Sequence, residues 1–379
     1  MIDYEILRVI WWLLLGTLLV GFAVMDGFDL GVGMLLHRVA KTNDERRVVL
    51  NTIGPVWEGN QIWLVLGGGA IFAAWPALYA LSFSGFYFAL LLVLFGLILR
   101  PVGFKYRSKV ENTRWRGVWD FALFVGGLVP ALVFGVAMGN VLQGAPFYFD
   151  ETFRSFYNGD LFDLLNPFAL LCGLVSISML LMHGAIFLCI KTEAAIQVRA
   201  RNYARLGAVL TIVLFALAGV WVSHGITGYV LTSTPLYSAP SNPFTKTVTT
   251  AVGAWMNNYH HYPLLRVVPA LGFFGAFCAA LLVSSRFYRC AWIASALSIA
   301  GIIATVGVSM FPFILPSTVN PNLSLMVWDA SSSQLTLFIM LIATIIFLPI
   351  ILLYTSWVYY VMRGKVTTSF IQKNQDSVY

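Results

Sequence analysis

Long apolar runs separated by short polar stretches set the pattern of this chain. A spanning helix needs about 20 mainly apolar residues. Runs of that length predict nine transmembrane helices, at about 9–36, 48–74, 78–100, 119–143, 162–190, 204–231, 263–284, 289–312 and 334–362. The fold class is therefore an all-α polytopic membrane protein, a single integral membrane domain over residues 1–379. The connection at about 232–262, with its "TSTPLYSAPSNPF", reads as an exposed loop and marks no soluble domain. The first residues, "MIDYEILR", are mildly acidic and lack the basic region of a signal peptide, so the first run is expected to be a retained span.

Composition agrees. Hydrophobic residues make up 59% and charged residues 10% of the chain, against roughly 25% charged in soluble domains. The net charge of +7 raises the question of nucleic acid, but the position of the charge answers it. Of the 23 Lys and Arg, 19 fall on one face of the predicted topology, in 37–47, 100–118, 191–205, at Arg286 and Arg289, and in the C-terminal tail. Arg8, Arg154, Lys246 and Arg266 fall on the other. Basic residues stay inside, which puts the N-terminus outside, the C-terminus inside, and no nucleic acid among the partners. The four cysteines show no CxxC spacing and read as buried thiols.

Against this apolar background the stretch "GFAVMDGFDLGVGM" stands out, with Asp26 and Asp29 three residues apart inside a span. From the helical rise, Asp26 lies roughly 15 Å and Asp29 roughly 10 Å from the inner end of the first helix. Glu58 lies roughly 15 Å from the inner end of the second, and Arg100 closes the third at the inner boundary. Depth alone lets three acids and an arginine meet. Intramembrane acids are costly unless paired, protonated or wet, which makes Asp26, Asp29 and Glu58 candidates for a proton path. The plainer reading is an Asp–Arg100 ion pair that fixes helix packing. Gly27, Gly31 and Gly33 allow close helix approach.

The second helix adds "GPVWEGNQIWLVLGGG". Pro55 should loosen the turn before it. Trp57, Asn60, Gln61 and Leu64 follow on one face, so Trp57, Asn60 and Gln61, with Trp63 and Arg100, are candidates for holding a quinone ring or waters; inter-helix hydrogen bonding is the alternative. Gly67, Gly68 and Gly69 predict a tight crossing. Asp329 or a following serine is expected to cap the last helix. His183 is the one histidine deep in a span and reads as a satisfied packing residue, with no second histidine at matching depth for haem ligation. No nucleotide, zinc or haem-attachment motif appears; no metal ligand and no catalytic residue is read in this chain.

The segments "RVIWWLLLGTLLVGFAVMDGFDLGVGML", "WEGNQIWLVLGGGAIFAAWPALYA", "RWRGVWD", "FPFILPS" and "LMVWDASSSQLTLFIM", with the tail "NQDSVY", closely resemble subunit II of bacterial cytochrome bd-type quinol oxidases. The resemblance covers essentially the whole chain. It implies two four-helix bundles plus one peripheral helix in the bacterial inner membrane. It implies a heterodimer with a haem-bearing subunit I that carries haem b and haem d, or b-type haems only, with room for a small single-helix accessory subunit. It also implies that the complex oxidises ubiquinol, reduces oxygen to water and draws protons from the cytoplasm, and that this subunit can hold a structural ubiquinone. The family's acidic "W-[DE]-G-N-Q" position falls on Glu58, its "DGFD" acids on Asp26 and Asp29, and its "RP" arginine on Arg100. A proton-coupled secondary transporter would also want intramembrane acids and broken helices, but it leaves these motifs unexplained. A purely scaffolding subunit is the third reading.

Overall fold

The computed structural model describes residues 2–234 and 237–373, so the tail motif "NQDSVY" lies outside the described residues. The first apolar run is interrupted at Asp26 into α1 (Tyr4–Met25) and α2 (Gly27–Val39). The second is also split. Its parts α3 (Asn43–Ile53) and α4 (Trp57–Ala74) part around Pro55, which has no amide hydrogen to continue the ladder. Next come α5 (Pro76–Gly85), α6 (Tyr87–Tyr106), α7 (Thr113–Gln143), α8 (Pro167–Lys191) and α9 (Ala194–His224). The short α10 (Asn257–His261) precedes α11 (Val267–Ser284), α12 (Tyr288–Met310), α13 (Gln334–Val361) and α14 (Thr368–Lys373).

Among the described residues, eight helical segments are long and apolar enough to cross a membrane. The segment α4 is not one of them, because its 18 residues open with "WEGNQ" and the polar start lowers its mean hydropathy. Helix ends also depart from expectation. The α7 helix starts at Thr113 rather than near 119, since the Asn112 side chain accepts from the Arg114 and Trp115 amides and caps it. The expected helix 204–231 is displaced: α9 begins at Ala194 and ends at His224, and Thr227–Leu231 is a strand.

Four helices, α8, α9, α11 and α12, pack on one another, while α2 lies between α7 and α8. Two glycine crossings permit that approach. A Cβ on Gly31 would strike the Leu180 carbonyl, and one on Gly127 would strike the Leu30 carbonyl. By contrast, Gly67 and Gly69 meet open space, so the crossing expected there is not formed among the described residues. The long α13 is peripheral, resting on α1 and α4 with only Leu337 and Leu341 buried.

The two ends of the bundle differ. One is covered by three antiparallel hairpins: β1 (Phe147–Phe149) with β2 (Ser155–Tyr157), β3 (Thr227–Leu231) with β4 (Val248–Val252), and β5 (Phe313–Leu315) with β6 (Leu325–Met326). The Ser317 hydroxyl donates to the Phe147 carbonyl at 2.5 Å and the Tyr229 hydroxyl to the Ser317 carbonyl at 3.1 Å, tying the hairpins together. Arg8 is fully buried at this end and donates to the carbonyls of Tyr237 and Ala239 and to the Ser331 hydroxyl. Asp329 pairs with Lys246 at 2.6 Å instead of capping α13, which Ser333 caps. At the opposite end Arg46 and Arg107 both bind buried Asp120, at 2.8 and 2.5 Å, and Arg199 binds Glu45 at 2.5 Å. There the Lys191 ammonium donates to the Met362 and Gly364 carbonyls. The cysteines are free, but only Cys189 is fully buried. Cys290 is exposed because it falls in the first turn of α12, beside Arg289, rather than within the bundle.

Candidate functional site

The interruption at Asp26 sets two carboxylates on one side of the α1–α2 span, and α6 brings Arg100 to them. Arg100 Nη1 and Nη2 donate to the two oxygens of Asp26 at 3.1 and 2.9 Å. Nη2 also lies 3.8 Å from Asp29 Oδ2. All three side chains are buried. From α4, Asn60 donates through Nδ2 to Asp29 Oδ2 at 2.7 Å. From α13, the Tyr359 hydroxyl donates to Asn60 Oδ1 at 2.6 Å. The Arg100 guanidinium sits 5.7 Å from the ring centre of Trp57, within cation–π range, and Trp57 stacks on Phe104 at 5.4 Å.

The two acids are held unequally. Asp26 is committed through both oxygens to one guanidinium, the strong bidentate arrangement. Asp29 binds Asn60 through Oδ2, while its Oδ1 has no hydrogen-bond partner among the described residues; nor has the indole N–H of Trp57. One guanidinium cannot neutralise two carboxylates, so the group carries either a net negative charge or a proton. Asp29 Oδ1 is the atom that can take that proton without breaking a bond already made.

Glu58 does not join this group, contrary to the depth argument. It is exposed, on the outward face of α4 with Ile62, Val65 and Phe72. Each residue turns a helix by about 100°, so Glu58 points roughly 200° away from Asn60 although it lies at a similar depth. A carboxylate on a stripe of exposed apolar side chains needs a wet path or a partner beyond this chain. Gln61 is half-buried and makes no hydrogen bond among the described residues, and Trp63 packs its ring against Gly21. The candidates for a quinone or water site thus divide. Asn60 and Arg100 are bonded to the acid pair, Trp57 lies beside Arg100 with its indole N–H unpartnered among the described residues, and Gln61 and Trp63 stand outside the group.

His183 is buried, with Nδ1 2.7 Å from the Ser295 hydroxyl and Nε2 3.1 Å from the Val24 carbonyl, its ring stacked on Trp292 at 5.2 Å. The Val24 carbonyl only accepts, so Nε2 carries a proton, and the Ser295 hydroxyl beside Nδ1 also reaches the Trp292 carbonyl at 2.8 Å. Both ring nitrogens are used, which does not fit an axial haem ligand. Elsewhere an apolar cavity of about 280 Å³ opens between the helices, lined by Phe22, Phe134, Phe168, Met179, Phe215 and Met256 among others. Of the second-helix candidates none lines it; α4 contributes Leu64.

Tyr359 was not among the sequence candidates. It lies 299 residues from Asn60 on a helix that reads as apolar throughout, and no local signal distinguishes it from Tyr354 or Tyr360.

Residues 7–362 match the family model described as cytochrome bd terminal oxidase subunit II. A probable cytochrome oxidase subunit 2 of Haemophilus influenzae is 54% identical, with 100% of each chain covered. The cytochrome bd-I ubiquinol oxidase subunit 2 of Escherichia coli K12 is 51% identical, again over 100% of both chains. The corresponding Bacillus subtilis protein is 32% identical over 94% of this chain and 96% of its own. In fold, the chain resembles the bd oxidase of Geobacillus thermodenitrificans with a TM-score of 0.69, covering 94% of this chain and 98% of that one at 18% identity.

Proposed function

The chain belongs to the cytochrome bd terminal oxidase subunit II family, and from that premise we propose that it lines a proton path through Glu58 and Asp29 while Asp26 and Arg100 hold the helices around them. As a subunit of that oxidase it is a multi-pass protein of the bacterial inner membrane, paired with subunit I, in a complex that oxidises quinol and reduces oxygen. The haems, b and d or b only, belong to subunit I in this reading, and a small accessory subunit can join the pair. Support for the division comes from His183, whose two nitrogens are already engaged.

The proposed topology has nine spans, N-terminus outside and C-terminus inside, as two four-helix bundles with α13 at the periphery. The mutual packing of α8, α9, α11 and α12, and the gathering of basic residues at one end, support it. The phenylalanine-lined cavity suits the ring and isoprenoid tail of a structural ubiquinone better than the second-helix residues do.

Oxygen reduction consumes protons, and a subunit that contributes to their uptake must offer carboxyl groups not locked into ion pairs. The unequal treatment of Asp26 and Asp29 is the observation that carries this reading. One acid is fixed by both nitrogens of Arg100, and the other keeps an oxygen without a partner. Glu58, directed outward from α4, is the group through which the path would pass to subunit I. Glu58→Gln keeps the shape and removes the transferable proton. Haem content should survive, and quinol-driven oxygen uptake per haem should fall about tenfold or more, with Glu58→Asp retaining more. If Glu58→Gln assembles and turns over at the parental rate from pH 6 to 9, the subunit is a scaffold.

A further inference from the structure

The helix α13 leaves most of its surface exposed, yet one of its side chains reaches the acid pair. Tyr359, two residues before the helix ends, donates to Asn60 Oδ1, and Asn60 Nδ2 donates to Asp29 Oδ2, at 2.6 and 2.7 Å. The direction of this chain is fixed by chemistry. A carboxylate only accepts, so Asn60 turns its NH2 toward Asp29 and its carbonyl toward Tyr359. A phenol can donate to that carbonyl; a phenylalanine ring cannot.

We infer that Tyr359 is a positioning residue for proton transfer at Asp29: it locks the Asn60 amide, so that Asn60 occupies Oδ2 and the proton comes and goes at Oδ1. The inference rests on the reading above that Asp29 belongs to the proton path. Without the phenol, the Asn60 amide is free to rotate and present its carbonyl to Asp29. A proton taken up at Oδ2 is then held by a hydrogen bond to that carbonyl and leaves slowly. The lock costs the site nothing in charge, because phenol and amide are both neutral. It also makes the seating of α13, a peripheral helix, a condition for the acid pair to work.

The test uses the whole oxidase, purified with Tyr359→Phe, Asn60→Ala, the two combined, Asp29→Asn, and Tyr354→Phe as an exposed phenol on the same helix. Tyr359→Phe should lower kcat per haem roughly fivefold, with the KM for quinol and the haem content unchanged. Asn60→Ala should cause a loss of similar size, and the double variant should be no slower than Asn60→Ala, since the two act in series. Tyr354→Phe should be parental. A parental kcat for Tyr359→Phe while Asp29→Asn is slow overturns the inference alone, as do additive losses in the double variant. Loss of haem from Tyr359→Phe also overturns it, by assigning the phenol to assembly. A parental rate, or loss of haem, in Asp29→Asn defeats the proton-path reading and the inference with it.

Discussion

Arg100 is a residue whose loss the fold should tolerate poorly. The residue is 3% exposed and is the only charge among the described residues that compensates Asp26, so Arg100→Gln leaves a buried carboxylate alone. Breaking one side of such a pair costs about 3–5 kcal/mol. The expected outcome is a sharp fall in assembled oxidase, read as haem recovered per membrane protein, with most of it restored when Asp26→Asn removes the stranded charge. Recovery no better in the double variant would show that Arg100 matters for something other than Asp26. The pair was legible in the sequence because charges are rare in these spans and their depths agree. Asn60 was legible for the same reason. Glu58 was misplaced because depth does not fix the direction a side chain takes around its helix, and Tyr359 was invisible because nothing local marks a tyrosine that bonds across 299 residues.

Among the elements, α3 shows how a short helix is fixed at its start. Thr42 and Glu45 form a capping box, and Glu45 also accepts from the Lys41 amide at 2.6 Å and from Arg199 of α9 at 2.5 Å. Partial burial works against the charged form of Glu45, but the Lys41 amide, Arg199 and the Thr42 amide outweigh it and hold the carboxyl below its ordinary value. Stability from a lowered carboxyl is fully present above the unfolded-state value, about 4.3, and is lost as pH falls through the folded-state value. The thermal midpoint of the purified oxidase should therefore drop on the acid side of that value. Glu45→Gln should flatten this limb and cost about 0.5 kcal/mol or less at neutral pH, since solvent screens the pair. An acid limb unchanged in the variant would assign the loss to other carboxylates. Helix boundaries were less legible than helix existence. Hydropathy marks the buried middle of α7 and not the start that Asn112 caps, and β3 follows α9 so closely that its Tyr229, Val230 and Leu231 read as more helix.

Seen whole, the molecule has a hairpin-covered end and an opposite end where Arg46, Arg107 and Arg199 form ion pairs, and the distribution of Lys and Arg along the chain is the ground for proposing that the second faces the cytoplasm. Reporter fusions should find residues 105–115 in the cytoplasm and 240–250 outside, and an inside signal at 245 would overturn the nine-span topology. The hairpin cap was not foreseen, since three short strand pairs in loops leave no run long enough to notice. That cap and α13 also impose an order in time. Arg8 finds Ser331 only across 323 residues, and Trp11 finds the Leu337 carbonyl across 326. A ribosome adds about 5–20 residues per second, so the earliest spans wait for their last hydrogen-bond partners for roughly 15 to 60 seconds. Through that interval Arg8 lacks its Ser331 contact and the Trp11 indole lacks its acceptor, while the Asn60 carbonyl waits across 299 residues for Tyr359. A half-made chain is thereby marked as unfinished in its very first helix, and a chain stopped before α13 keeps that mark for as long as it lasts.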